Sequence, residues 1–349
     1  MAIEIIGTGR AVPSRRVSND DLAARIDTSD EWIRSHTGIG NRHIADDHTA
    51  TSDLALEAAK NALAMAAGFS GGSGSEEWNR VVAEAAQSID VIILGTATPD
   101  YVGTPSTACI VQHKLGAKQA LAMDISAGCT GFVYGLEVAT GLLSLGRGRK
   151  RALVIGAELL SRVIDWEDRG TCVLFGDGAG AVVLEVNDAP SEGPERRGLV
   201  RSMLWADGSG SESLLFRRGG SRNPFKPGET IEKGICVEMN GQEVYNFAVK
   251  AVTDTANALM QADGIGVDDI TWIIPHQANA RIVQAAARRL KMPAEKIYLN
   301  IEEYANTSAA SIPIALDELN RNGKIKKGDL ILTIGFGGGL TYGGNIIVW

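Results

Sequence analysis

The sequence predicts an α/β fold made of two similar halves, and three observations carry that prediction. Short apolar runs recur that do not alternate with polar residues, as strands buried on both faces require. Alanine-rich stretches of helical length lie between them. The order of elements in the first half then returns in the second.

In chain order, residues 1–7 (Met-Ala-Ile-Glu-Ile-Ile-Gly) read as a first strand and not a signal peptide. Residues 51–67 read as a helix. Residues 70–75 (Ser-Gly-Gly-Ser-Gly-Ser) are flexible in composition. The stretch after them sets Trp78, Val81, Val82 and Ala85 on one helical face, so 68–88 is expected to be a surface insertion with its own helix. Residues 91–95, 152–156 and 181–185 are short apolar strands, with a helix over 131–145. The polar segment 187–197 is the expected joint between halves 1–187 and 198–349. Beyond it, helices are expected at 244–263, 278–290 and 308–320, and strands at 271–275, 330–335 and 345–349. Segment 298–301 mirrors 123–126. Cys129 lies 27 positions before Gly156, and Asn306 lies 29 before Gly335.

Composition limits the functions to consider. A chain of 349 residues with 44% hydrophobic and 22% charged residues is globular and larger than one ordinary domain. A net charge of −8 argues against nucleic acid as a partner. No 18-residue apolar window suits a membrane span. The four cysteines show no C-x-x-C spacing, and the five histidines form no metal-type cluster with them. Reduced thiols in a cytoplasmic protein, with no metal site, are the expectation.

Four positions could carry chemistry. Cys129 follows a buried strand and small residues (Asp124-Ile-Ser-Ala-Gly-Cys129) and opens a helix, where the dipole should lower its pKa. An inert buried cysteine is the alternative. His276 ends a strand, at the edge where α/β sheets present ligand-binding residues. Asn306 opens a helix in Asn-Thr-Ser; a plain cap would look the same. It also holds about the place in the second half that Cys129 holds in the first. The glycine-dense stretch 335–344 could aim backbone N–H groups at an oxyanion, or simply turn between strands. Phe175-Gly-Asp-Gly-Ala-Gly180 leads into a strand, so a nucleotide loop is a weak reading.

Taken together, these motifs resemble the condensing enzymes of the thiolase superfamily, and within it the β-ketoacyl-acyl-carrier-protein synthase III family. The likeness runs through Thr28-Ser-Asp-Glu-Trp-Ile33, His36-Thr-Gly-Ile-Gly40, Asp124–Cys129, Asp168-Arg-Gly170 and Phe175–Gly180. It continues in Pro275-His-Gln-Ala-Asn279, Asn306–Ser311 and Phe336-Gly-Gly-Gly339. It implies a five-layer αβαβα fold, a homodimer, and a triad of Cys129, His276 and Asn306. Cys129 would take an acyl group from an acyl-CoA primer, acetyl-CoA being the first to expect. The N–H groups of Cys129 and Gly338 would hold the oxyanion. Malonyl-acyl-carrier-protein would then lose CO₂ against His276 and Asn306 and attack the acyl-Cys. No cofactor is implied, since the CoA thioester is itself the substrate.

The same likeness places Trp32 and Arg169 at the adenine of CoA. It places the carrier-protein contact on Gln277, Ala278, Asn279, Ala280 and Arg281, beside Arg288, Arg289 and Lys291. Segment 101–105 matches the loop that enters the partner's acyl pocket, with Thr104 where acetyl-selective members carry a bulky aromatic. Two features depart from the pattern: His36 stands where many members have Arg, and 70–88 is long. The competing readings are a sister enzyme using a medium-chain or aromatic acyl-CoA in secondary metabolism, a Cys129 hydrolase or acyltransferase, and a non-catalytic carrier-binding scaffold.

Overall fold

A computed structural model of the chain describes residues 1–193, 195–231 and 234–349. The joint expected at 187–197 therefore lies partly outside the described residues. The first half runs β1 (Ala2–Ala11), α1 (Asp30–Thr37), α2 (Thr51–Ala66), α3 (Glu76–Ala86), β2 (Val91–Gly95), α4 (Thr107–Leu115), β3 (Leu121–Ile125), α5 (Gly131–Ser144), β4 (Arg151–Leu159) and β5 (Asp177–Asn187). The second runs β6 (Gly198–Ala206), α6 (Gly241–Asp263), β7 (Trp272–Pro275), α7 (Ala280–Leu290), α8 (Ser311–Arg321), β8 (Leu330–Gly337) and β9 (Thr341–Val348).

The first sheet has the order β1-β5-β4-β2-β3, and the second β7-β8-β9-β6. In the first, β2 pairs parallel with β3 and β4, while β5 pairs antiparallel with β4 and β1. In the second, β7 pairs parallel with β8, and β9 pairs antiparallel with β8 and β6. Strand for strand, order and sense correspond. The counterpart of β3 is the exception. Segment 298–301, expected to match it, makes only a parallel bridge from Ile297 to Ile273 and a Tyr298 N–H bond to the Ile273 carbonyl (2.9 Å). At this sheet edge Asn300 sends its amide to Glu318 (2.8 Å), and the chain turns helical over Ile301–Tyr304.

The strands read from apolar runs are buried as expected, β2 along its whole length. A central core joins the two sheets. It takes Phe132, Leu136 and Ala139 from α5, Ile312, Leu316 and Leu319 from α8, and strand residues from both sides. Helices α2, α3 and α4 cover the outer face of the first sheet, and α6 and α7 that of the second. The layers are therefore αβαβα, with α5 and α8 in the middle. Residues 335–344 are a hairpin: β8 ends at Gly337 and β9 starts at Thr341.

Helix α3 is more than a surface addition. Trp78, Val82 and Ala86 are buried, four residues apart, in the same core as α2. Val81 and Ala85, expected on the buried face, are half-buried. The Lys60 ammonium lies 5.8 Å from the Trp78 ring centroid. Trp78→Ala should therefore cost about 3–5 kcal/mol in denaturant unfolding. A cost below about 1 kcal/mol, the range of surface changes, would show that α3 is peripheral.

Candidate active site

Cys129 sits in a single 3-10 turn, Gly128–Thr130, between β3 and α5, with Thr130 Oγ1 bonded to the Ala127 carbonyl (2.6 Å). The hairpin of β8 crosses directly over it. A Cβ built on Gly337 would lie 3.1 Å from Cys129 Sγ and 2.8 Å from its Cβ, so only glycine fits there. Gly338, the next residue, lines the same cavity as Cys129. The thiol pKa runs opposite to the sequence expectation. Burial pushes it up to about 12, against the Ser308 hydroxyl and its own backbone N–H, which draw it down. Desolvation of a thiolate outweighs a helix terminus.

His276 directly follows β7, its N–H held by the Ile334 carbonyl of β8 (2.7 Å). The ring is buried and meets Phe336 edge-on, with centroids 5.1 Å apart. Burial lowers its pKa to about 3, so it is neutral at physiological pH. Nδ1 contacts Ser311 Oγ at 2.7 Å, and Nε2 is left to the cavity. Ser311 Oγ also lies 2.9 Å from the Ser308 carbonyl and 3.3 Å from the Gln277 N–H. The hydroxyl has one proton to give. Given to the Ser308 carbonyl, it leaves Oγ to accept Nδ1–H; given to Nδ1, it leaves the hydrogen on Nε2, a donor into the cavity.

Asn306 precedes α8. Its N–H bonds to the Leu174 carbonyl (2.9 Å), and its Oδ1 accepts the Ser308 N–H (2.8 Å). With Oδ1 occupied, Nδ2 is the group free to donate into the cavity. Ala305 (φ 55°) and Ser308 (φ 48°) flank it in the left-handed region, a backbone cost held at the site. Cys129, His276 and Asn306 all line one cavity of about 540 Å³.

Toward the mouth, Trp32 stacks on His36 (centroids 4.4 Å, 21° between planes), and the Arg169 guanidinium lies 4.7 Å from the Trp32 ring. His36 Nδ1 lies 2.7 Å from the Trp32 carbonyl oxygen. The expected carrier-protein segment divides. Gln277 is buried, giving its amide to the Pro275 and Tyr298 carbonyls and accepting the Asn300 N–H, so it is scaffold and not surface. Ala280 is buried against Gly38. Ala278 and Asn279 are half-buried, Asn279 donating to the His36 carbonyl (3.0 Å), while Arg281 is exposed at the cavity edge. Thr104 is exposed, beside exposed Tyr101 and Val102, and does not line this cavity. Among the described residues no cluster of three or more His, Cys, Asp or Glu is placed to hold a metal, and no helix is long and apolar enough to cross a membrane.

Sequence reasoning gave no role to Ser308, Ser311 or Glu158. Ser308 and Ser311 stood inside a motif it quoted. Glu158 had a signal of its own, a lone acid in an apolar strand.

This fold and this cysteine-centred cavity are those of a thiolase-type condensing enzyme. Residues 123–208 match the family profile "3-Oxoacyl-[acyl-carrier-protein (ACP)] synthase III", and residues 260–349 match its C-terminal counterpart. The β-ketoacyl-[acyl-carrier-protein] synthase III of Caldanaerobacter subterraneus is 48% identical over 100% of this chain and 98% of its own. The crystal structure of the 3-oxoacyl-[acyl-carrier-protein] synthase III of Aquifex aeolicus has a TM-score of 0.85 and 40% identity, covering 100% of both chains. The priming β-ketosynthase of the R1128 polyketide pathway superposes equally well (TM-score 0.85, 99% of this chain and 96% of its own) at 32% identity. The chain belongs to the β-ketoacyl-acyl-carrier-protein synthase III family.

Ser311 Oγ is the hydrogen-bond partner that holds the His276 ring at Nδ1. Ser311→Ala should lower malonyl decarboxylation about 10- to 100-fold, by analogy with other partners that orient a histidine ring, and leave acyl transfer to the cysteine nearly intact. Ser311→Thr, which keeps the hydroxyl, should recover most of the rate. If the alanine variant decarboxylates as wild type does, Ser311 does not position the ring.

Proposed function

We propose that this chain condenses an acyl-CoA primer with malonyl-acyl-carrier-protein, giving a 3-ketoacyl-acyl-carrier-protein, CoA and CO₂, and so starts fatty-acid synthesis. The observation that carries the reading is the convergence of Cys129, His276 and Asn306 on one cavity. Higher identity to synthases named for that reaction than to the polyketide priming enzyme favours it over a secondary-metabolic role.

Cys129 attacks the primer thioester. The Cys129 and Gly338 N–H groups stabilise the tetrahedral oxyanion, and CoA departs. Malonyl-acyl-carrier-protein then places its thioester carbonyl against Nε2–H of His276 and Nδ2–H of Asn306. The bond to the carboxylate breaks, CO₂ leaves, and the electron pair rests in an enolate held by those two donors. A neutral imidazole suits this task, because it stabilises the enolate without protonating the carbon that must react. That carbon attacks the acyl-Cys carbonyl, and the cysteine sulfur leaves. Every step is accounted for by protein groups and the two thioesters, so no cofactor enters the scheme.

At the mouth, Trp32 and Arg169 take the adenine. Stacking on both its faces needs about 7 Å between them, two van der Waals contacts, so Arg169 must lift from its 4.7 Å position. Arg281, with Arg288 and Arg289 on α7, offers positive charge to an acidic carrier protein. We further propose a cytoplasmic homodimer built from two duplicated halves, 1–187 and 198–349, in which the exposed Tyr101–Thr104 segment enters the partner's acyl pocket.

Two experiments test this reading. His276→Ala and Asn306→Ala should each cut malonyl decarboxylation about 10²–10³-fold while the cysteine still takes an acyl group. Normal decarboxylation with failed acylation would reverse the assignment. Because His276 stays neutral down to about pH 3, decarboxylation should show no titration of this ring between pH 5 and 8. For primer choice, a threonine at 104 leaves room that an aromatic would fill, with each added methylene worth about 0.8 kcal/mol. Wild type should accept primers of four or more carbons (a chain-length series measures this), and Thr104→Phe should retreat to acetyl-CoA. Acetyl-CoA alone with both proteins would remove Thr104 from the pocket.

A further inference from the structure

Glu158 is fully buried near the end of β4, an acid in a strand that is otherwise apolar from Ala152 onward. The strand register shows where it points. Val91 and Ile93 of β2 and Ala152 and Val154 of β4 all enter the central core, and Gly95 pairs with Gly156. Side chains alternate along a strand, so Gly95, Gly156 and Glu158 face the same middle layer. The two glycines meet the segments of the reaction centre there. A Cβ on Gly95 would fall 2.6 Å from the carbonyl carbon of Gly131, two residues past Cys129, and one on Gly156 would fall 2.1 Å from the Ala309 carbonyl oxygen. Carried two residues past the end of β2, the register sets Ala97 opposite Glu158. Ala97 is half-buried and lines the cavity with Cys129.

The carboxylate grips the turn that carries Ala97. It accepts the Ala97 N–H at both oxygens (3.1 and 3.0 Å), the Thr98 N–H (3.1 Å), and the hydroxyls of Thr98 (2.7 Å) and Thr96 (3.2 Å). Thr98 Oγ1 accepts the Leu159 N–H (2.9 Å) and Thr96 Oγ1 accepts the Thr98 N–H (3.0 Å), which leaves both hydroxyl protons for Glu158. Every group in this ring is therefore a donor, and an ionised carboxylate is the side chain that accepts on both oxygens and donates nothing. A buried carboxylate is costly unless it is hydrogen-bonded, and here all the donors that satisfy it belong to one turn of the cavity wall. The far side of that turn is tied to the start of α2: the Thr98 carbonyl accepts the Thr51 hydroxyl (2.5 Å), and Asp100 accepts the Ser52 N–H (2.8 Å).

We propose that Glu158 is a positioning residue for primer choice: it holds the 96–98 turn so that Ala97 forms the cavity wall against the primer's acyl chain. The inference rests on Cys129 taking that acyl group. The contact of Gly95 with Gly131 puts the turn at the Cys129 end of the cavity. The acyl chain must lie at that end when the sulfur attacks its carbonyl, while Trp32 and Arg169 mark the mouth. The methyl side chain of Ala97 leaves space there that a larger one would fill. With two successive N–H groups and two hydroxyls held by Glu158, the wall cannot retreat, so the space stays the size that Ala97 sets. Glu158 touches neither the primer nor the reacting atoms and acts through the turn.

The test is a competition. The native protein is exposed briefly to an equimolar excess of acetyl-CoA and butyryl-CoA, and mass spectrometry reads the ratio of butyryl to acetyl on the Cys129 peptide. That ratio does not depend on how much of a variant is folded. Ala97→Val should lower it about 5- to 100-fold, because the added methyl groups overpack the wall. Glu158→Ala should raise it about fourfold or more, the worth of one buried methylene, because the released turn yields to the longer chain. Glu158→Gln should fall between wild type and Glu158→Ala: its amide oxygen still accepts the two hydroxyls, while its NH₂ meets the Ala97 N–H. This milder variant carries the test if the alanine variant does not fold. An unmoved ratio in the Glu158 variants, even with less total label, overturns the inference, since the carboxylate then supports the fold alone. An unmoved ratio in Ala97→Val overturns it as well, since Ala97 is then no wall of the acyl site. Wild type with no acyl label on Cys129 rejects the nucleophile and this inference with it, whereas label on Cys129 with unmoved ratios rejects this inference alone.

Discussion

The reaction centre depends on one packing constraint: bare glycine backbone of β4 and β8 takes the segments that open α8 and α5 at close contact. A Cβ on Gly156 would fall 2.1 Å from the Ala309 carbonyl oxygen, so the turn before α8 rests on the bare backbone of β4. On the other side the Gly337 backbone lies against Cys129. Both contacts use the absence of a side chain to bring backbone to backbone. They fix Cys129 from one half and Asn306 and Ser308 from the other at a common point. The parallel strand β7 then delivers His276 to that point from its carboxyl end.

The same burial sets the chemistry. It raises the cysteine and lowers the histidine, in each case favouring the neutral form. A dry site strengthens every hydrogen bond aimed at a developing negative charge. It also leaves the thiol without charge at rest. The site is therefore built for donors that do not transfer their protons during decarboxylation, and it needs a separate route for the one proton that must move during acylation.

Much of this was legible in the sequence, for physical reasons that hold residue by residue. A strand covered on both faces cannot alternate, so 91–95, 152–156 and 330–335 announced themselves by unbroken apolar runs. Similar spacing from Cys129 to Gly156 (27 positions) and from Asn306 to Gly335 (29) exposed the parallel between the halves. What failed were readings that depend on contacts distant in sequence. The thiol pKa was judged from a helix terminus alone, whereas desolvation by burial decides it. The family likeness placed Gln277 at the carrier-protein contact, yet three internal hydrogen bonds consume its amide. Segment 298–301 looked like a strand by symmetry with 123–126, but Asn300 and the acidic turn after it end the pairing at the sheet edge. Ser311 contacts His276 from 35 positions away in the chain, so no local pattern could reveal it.

The central claim is that the buried thiol at the start of α5, and no other cysteine, carries the acyl group. Cys109 is exposed, Cys172 is buried and does not line the cavity, and Cys236 is half-buried, so each is a distinct competitor. The direct measurement is peptide mapping by mass spectrometry after brief incubation of the native protein with acetyl-CoA. The account predicts one acetyl group, on the peptide containing Cys129, and its discharge when malonyl-acyl-carrier-protein is added. Acetylation confined to Cys109, Cys172 or Cys236, or an acetyl-Cys129 that malonyl-acyl-carrier-protein does not discharge, would contradict it.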